Sequence, residues 1–218
     1  MKKLVIFDLD GTLLDTVLDL GKCCNHILAN EGYPTHPIDS YYAFVGNGIS
    51  KLIERALPPA TASAKEAARL LPTFRSYYDI HKADETRPYD GLTALLEKLQ
   101  SRGVLIAIAS NKYQKATEEL IAHFFPQIAF AAVLGQRDGT PIKPHPAIVH
   151  DIMEMTGVCH KEQIIYVGDS LVDMNTAKNA GVESVAVTWG FCPKERLTEF
   201  GPDNIAHSAQ ELEQILMR

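Results

Sequence analysis

Short, unbroken apolar runs punctuate this chain, and amphipathic stripes separate most of them. The runs at residues 4–7, 104–109, 164–167 and 185–187 carry almost no polar residue, and a weaker one covers 130–134. Unbroken runs of this length predict strands buried on both faces, hence a parallel sheet. Between them lie helical stripes. Leu92, Leu95, Leu96 and Leu99 form one that stops at Gly103. Others start near Tyr113 and near Ala147, run up to about Ala180 before Gly181, and end the chain with Leu212, Ile215 and Leu216.

One interval breaks the alternation. From about Thr16 to Ala83 there is no strand signal. Val17, Leu20, Cys24, Ile27 and Leu28 recur at helical spacing before Gly32. Residues 38–58 read as two short helices divided by Gly46-Asn47-Gly48 and closed by Pro58-Pro59. Thr61 or Ser63 caps a further helix whose apolar face uses Ala67, Leu70, Leu71, Phe74, Tyr77 and Tyr78. Pro72 falls inside that stripe and predicts a kink or break near Leu71. The pattern is that of an α/β chain, a Rossmann-like parallel sheet with a small helical bundle inserted after its first strand. The expected division is 1–14 and 86–218 for the α/β part and 15–85 for the insert, with hinges at Leu14-Asp15 and Thr86-Arg87-Pro88.

Composition narrows the possibilities only modestly. The 218 residues are 46% hydrophobic and 22% charged, ordinary values for a globular protein of one domain plus an insertion. A net charge of −6 argues against a nucleic-acid partner, so an anionic substrate needs positive charge placed locally. The start Met-Lys-Lys precedes too few apolar residues for a signal peptide, and no run is long enough to span a membrane. Cys23, Cys24, Cys159 and Cys192 show no metal-ligand spacing, which points to reduced thiols and a cytoplasmic location.

The chemistry sits where runs end. Leu4–Phe7 leads into Asp8-Leu9-Asp10-Gly11-Thr12, two carboxylates beyond the carboxyl end of a strand, where open α/β sheets bind ligands. Crowded acids of this kind call for a cation. The 104–109 run ends in Ser110-Asn111, a hydroxyl able to donate to a phosphate or simply to cap the next helix. Lys143-Pro144-His145-Pro146 holds a lysine in a stiffened approach to a helix. His145 and His150 have no ligand-like partners and read as structural. The 164–167 run leads into Gly168-Asp169-Ser170-Leu171-Val172-Asp173, with two acids one helical turn apart. They can hold a hard cation or merely favour the helix start.

These four stretches, in this order, resemble the four signatures of the haloacid-dehalogenase-like hydrolase superfamily, and the insert corresponds to a helical cap closing over the site. The resemblance implies Asp8 as nucleophile, Asp10 as general acid and base, and Ser110 and Lys143 as phosphate ligands. It implies Mg²⁺ held by Asp8, Asp169 and a backbone carbonyl near Asp10, with Asp173 orienting the metal shell or Lys143 and Thr12 in support. An acid at Asp10 favours phosphatase or phosphomutase chemistry over dehalogenation, because a halide leaving group needs no proton.

Residues 45–57 and 173–181 are similar to the phosphoglycolate phosphatase subgroup, which makes 2-phosphoglycolate the expected substrate. Gly46, Asn111, Lys51 and Arg55 are then candidate substrate contacts, and either cation can bind a substrate carboxylate or lie on a solvated helix face. Inorganic pyrophosphate, a sugar phosphate or phosphomutase chemistry remains open, as does a non-catalytic phosphate sensor. The expected partner is a small phosphorylated metabolite, met by a monomer or weak dimer.

Overall fold

The computed structural model describes residues 2–218. Its centre is β1 (Leu4–Phe7), all four residues of which are fully buried. The chain then forms a tight loop and the short β2 (Leu14–Asp15). Four helices follow without an intervening strand: α1 (Val17–Asn30), α2 (Tyr41–Phe44) after a 3₁₀ turn, α3 (Ile49–Ala56) and α4 (Ala64–His81). β3 (Arg87–Pro88) returns antiparallel to β2, pairing Leu14 with Pro88 and Asp15 with Arg87. Both expected hinges therefore lie in one two-stranded ribbon.

From there the chain alternates. α5 (Leu92–Ser101), β4 (Leu105–Tyr113), α6 (Gln114–Phe124), β5 (Ala132–Gln136), α7 (Ala147–Thr156), β6 (Ile164–Gly168), α8 (Leu171–Ala180) and β7 (Glu183–Val187) come in order. A short α9 (Lys194–Glu199), β8 (Asn204–Ala206) and α10 (Ala209–Leu216) complete it. The six-stranded sheet has the order β5-β4-β1-β6-β7-β8, with every neighbour parallel. The chain winds outward from β1 on one side through β4 and β5, then crosses to β6 on the other. That reversal makes the carboxyl ends of β4, β1 and β6 the binding crevice.

Burial on both sheet faces explains the unbroken apolar runs. Val5, Phe7, Ile106, Ile108, Ile165 and Val167 pack under α5, α6 and α10. Leu4, Ile6, Ala107, Ala109, Ile164 and Tyr166 face α7 and α8. The helical layer has its own core of Leu20, Cys24, Ile53, Leu70, Phe74 and Tyr78, which reaches Tyr113 and Phe191 of the α/β part.

Three local expectations need revision. α4 runs unbroken through Pro72. Pro72 is exposed while Leu70, Phe74 and Tyr78 are buried, so packing of the inner face outweighs one missing backbone bond on the outer one. β4 continues through Ser110, Asn111 and Lys112 to Tyr113, with a register shift against β5 between Ala109 and Tyr113. Ser110 thus lies in a bulged strand and caps no helix. The 130–134 strand is displaced to Ala132–Gln136, and α9 and β8 carry too few apolar residues to be read from periodicity.

Asp19 in the first turn of α1 ties the ends of the helical layer together. Its buried carboxylate accepts from the Glu85 N–H at 3.0 Å, the Thr86 N–H at 2.9 Å and the Thr86 hydroxyl at 2.8 Å. Asp19→Ala strands those buried donors, and urea denaturation is expected to show a loss of about 3 kcal/mol. Glu85→Ala removes only an exposed pair with Lys22 and should leave the urea midpoint essentially unchanged.

Candidate active site

β1 delivers Asp8 to the crevice, where the Asp8 N–H still donates to Val167 O at 2.9 Å and fixes its backbone on the β6 side. The loop that follows turns back on Leu9, with the Gly11 N–H donating to Leu14 O at 2.9 Å. Gly11 has φ +87°, and a Cβ there would lie 2.5 Å from Asp169 Oδ2. Glycine is required on both counts. The same close packing lets Thr12 Oγ1 donate to Asp169 Oδ1 at 3.1 Å.

Lys143 is the buried hub. Its Nζ lies 2.8 Å from Asp8 Oδ1, 2.7 Å from Asp173 Oδ1, 2.9 Å from Ala109 O and 3.1 Å from the Tyr166 hydroxyl. An ammonium has three N–H groups, so four acceptors saturate it. Burial opposes its charge, but Asp173 and Asp8 outweigh burial and hold its pKa well above the usual lysine value. Asn111 fixes the backbone at this point, accepting from the Lys143 N–H at 2.9 Å and donating to Lys143 O at 3.2 Å and Gly46 O at 3.3 Å. Asp173 divides its two oxygens. One takes Lys143, and the other accepts from the Ser170 hydroxyl and N–H in a capping box at the start of α8.

Asp8, Asp169 and Asp173 place carboxylate oxygens within 4.8 Å of one another. Burial pushes Asp8 well above the usual carboxylate range, Asp173 adds to the shift, and Lys143 opposes it. Burial and then Asp173 push Asp169 up to about 7, against hydrogen bonds from the Phe191 N–H at 2.7 Å and from Thr12. The donors are all hard oxygens, a set suited to a hard divalent cation. Asp173 is tied by the Lys143 charge and the Ser170 capping box, whereas the Asp169 oxygens each accept a single bond from a neutral donor. Asp8 Oδ2 has no hydrogen-bond partner among the described residues, so Asp8 and Asp169 are the pair that fits a metal.

Asp10 points elsewhere. Its Oδ1 accepts from the Thr16 hydroxyl at 2.6 Å and lies 3.1 Å from Lys112 Nζ. Its side chain is thus outside the acidic cluster, and only its backbone remains as the metal donor that the sequence suggested. Lys112 donates in turn to the Tyr78 hydroxyl at 2.8 Å. Asp8, Asp10, Ser110, Asn111, Lys143 and Gly46 all line one small cavity of about 40 Å³ between the strand ends and the helical layer. A wider groove of about 520 Å³, which Asp8, Asp10 and Gly46 also line, leads outward past Asp169, Phe191 and Arg55.

Two expected substrate contacts do not reach the cavity. Lys51 pairs with Glu54 at 2.7 Å on the outer face of α3, whose inner face is Ile49, Leu52, Ile53 and Ala56. Arg55 lines only the outer groove. Its guanidinium donates to Phe44 O at 2.8 Å and Asn47 Oδ1 at 2.6 Å, so it braces the Gly46-Asn47-Gly48 turn. Conversely, Lys112, Thr16 and Tyr166 escaped sequence reasoning. Lys112 directly follows Ser110-Asn111, and a lysine just past an apolar run is ordinarily a solvated charge; Tyr166 lies hidden inside one.

The sequence profile of the haloacid dehalogenase-like hydrolase family matches residues 5–187. The phosphoglycolate phosphatase of Haemophilus influenzae (strain 86-028NP) is 31% identical over 220 residues, covering 98% of each chain. That of Mesorhizobium japonicum is 34% identical over 206 residues, covering 94% of this chain and 90% of its own. A solved structure from Lactobacillus delbrueckii subsp. bulgaricus, provisionally assigned as a phosphoglycolate phosphatase, superposes with a TM-score of 0.92 at 30% identity over 99% of both chains. The chain therefore belongs to the haloacid dehalogenase-like hydrolases, as a phosphoric monoester hydrolase of the phosphoglycolate phosphatase-like group.

Proposed function

We propose that this protein hydrolyses 2-phosphoglycolate, with Mg²⁺, through an aspartyl-phosphate formed on Asp8. The observation that carries the reading is the unequal treatment of the two neighbouring acids. Asp8 is anchored through one oxygen by Lys143 and keeps the other open, whereas Asp10 is held apart by Thr16 and Lys112. One acid is thereby poised to attack and the other to move protons.

Asp8, Asp169 and the backbone carbonyl of Asp10 would hold Mg²⁺. When bound, the ion neutralises these carboxylates and phosphate oxygens and polarises the phosphoryl group. Ser110 meets one remaining phosphate oxygen, and the Lys143 ammonium turns an N–H from one of its four protein acceptors to another. Asp8 Oδ2 attacks phosphorus, the bond to the alcohol oxygen breaks, and Asp10 gives that oxygen its proton. Asp10 then takes a proton from the water that cleaves the aspartyl-phosphate, which returns Asp8 as carboxylate and releases phosphate. Asp173 keeps Lys143 in place. The helices of residues 15–85 serve as the cap, with the α/β part made of 1–14 and 86–218. The ribbon of Leu14–Asp15 with Arg87–Pro88 is the joint between the two.

A compact leaving group fits the cavity beside Ser110 and Lys143, whereas a hexose would extend into the outer groove. We place the activity in the cytoplasm, in a monomer or weak dimer. The buried neighbours Cys23 and Cys24 are both free thiols, pushed up to about 12 by burial, as suits a reducing compartment. Among the described residues no helix is long and apolar enough to cross a membrane.

Turnover of 2-phosphoglycolate is expected to require Mg²⁺ and to stop with chelator. Asp8→Asn should abolish it together with any acid-stable phosphoenzyme, while Asp10→Asn should slow it by roughly 10² to 10⁴. Near-normal turnover by Asp8→Asn, or phosphate binding without turnover in the wild type, would refute the catalytic reading. Among cap residues, Lys51→Ala should leave kcat/KM within about twofold. Arg55→Ala should raise KM by loosening the Gly46-Asn47-Gly48 turn, an effect of about 1 kcal/mol.

The pH dependence of metal binding is a separate expectation. Asp169 folds with its pKa raised to about 7, above the unfolded carboxylate value. The metal-free fold therefore loses stability as pH rises from the unfolded value through about 7, where the loss is complete. Mg²⁺ relieves that repulsion and must displace a proton below about 7. A thermal melt should show a larger Mg²⁺-induced rise in Tm at pH 8 than at pH 5. An equal rise at both would refute Asp169 as a ligand.

A further inference from the structure

Lys112 is a buried lysine, 4% exposed, to which the mechanism above gives only the holding of Asp10. Its setting is unusual for a strand residue. Alternation along a strand sends successive side chains to opposite faces. The register shift of β4 between Ala109 and Tyr113 breaks that rule, and Ser110, Asn111 and Lys112 all line the same cavity. Lys112 Nζ has two protein partners there, the Asp10 carboxylate at 3.1 Å and the Tyr78 hydroxyl at 2.8 Å. An ammonium has three N–H groups, and among the described residues the third has no acceptor.

The rest of the lining makes that vacancy informative. Lys143, the other cation on the cavity wall, is already divided among four protein acceptors and the phosphate. Lys51 and Arg55 lie outside it. Leu20, Val45, Ile49 and Leu52, which also line the cavity, offer an anion nothing. A negatively charged group buried there without a cation would be strongly disfavoured.

We propose that Lys112 is the specificity-determining residue of the site, the cation that takes the carboxylate of the leaving group. This rests on the phosphatase reading above, in which Asp10 protonates the leaving oxygen. A group in contact with Asp10 lies beside that oxygen, and in 2-phosphoglycolate a single carbon separates the leaving oxygen from the carboxylate carbon. Lys112 therefore selects phosphomonoesters of short hydroxy acids. Tyr78 of α4 holds it from the cap side, so the recognising cation is complete only when the helical layer is seated.

The test compares 2-phosphoglycolate with ethyl phosphate, which replaces the carboxylate by a methyl group. The ratio of their kcat/KM values cancels whatever a substitution does to Asp10 in common. Wild type is expected to favour 2-phosphoglycolate. Lys112→Met should reduce that preference by about 100-fold, chiefly through KM, and Lys112→Arg should restore part of it. A preference that survives Lys112→Met overturns the proposal while leaving the phosphoglycolate reading intact. A wild type with no preference overturns both. Should Lys112→Met fail to fold by thermal melt, Tyr78→Phe decides. A severalfold drop in the ratio supports the proposal, and an unchanged ratio overturns it.

Discussion

The Lys143 ammonium is the point on which the rest of the site depends. It sits between Asp8 at the end of β1 and Asp173 in the first turn of α8, and it reaches the last carbonyl of the apolar part of β4. Three strand ends are thereby joined through one buried charge. Removing such a charge would leave two carboxylates facing each other in a dry crevice, which costs far more than a surface ion pair is worth. The same arrangement explains why Asp173 serves two purposes. Its outer oxygen caps α8 while its inner one fixes the lysine, so the start of a helix and the aim of the buried ammonium are set together.

Around that centre the α/β part and the helical layer meet through a small number of directed contacts rather than one broad apolar seam. Asn111 reaches Gly46, Lys112 reaches Tyr78, and Tyr113 and Lys115 both reach Asp79. All four come from the end of β4 and the start of α6. The helical layer is thus steered by the same strand that supplies Ser110 to the cavity.

Much of this was legible in the amino-acid sequence, for reasons that the structure makes plain. β1, β4 and β6 are buried on both faces, so their residues read as solid runs, and the chemistry follows where each run stops. Asp8, Asp10 and Asp169 are legible that way and Lys143 from its Lys-Pro-x-Pro stretch, and the cavity brings Asp8, Asp10 and Lys143 together, with Asp169 alongside Asp8. What stayed hidden depends on tertiary context. Pro72 is harmless because it sits on the exposed side of α4. Lys51 and Arg55 have the right charge on the right helix, but the apolar face of α3 turns them outward. Lys112 was invisible because a bulge, which no periodicity reveals, carries the end of β4 inward.

The ribbon of β2 and β3 has a consequence for how such a chain can be rebuilt. Asp15 and Arg87 stand opposite each other in an antiparallel pair, although 71 residues lie between them. Joining the two directly by a two-residue turn would make an ordinary hairpin and leave the parallel sheet untouched. The helical layer is in that sense a detachable module on a single socket. One sheet, with one set of strand-end carboxylates, can accept a different module there without altering its own register.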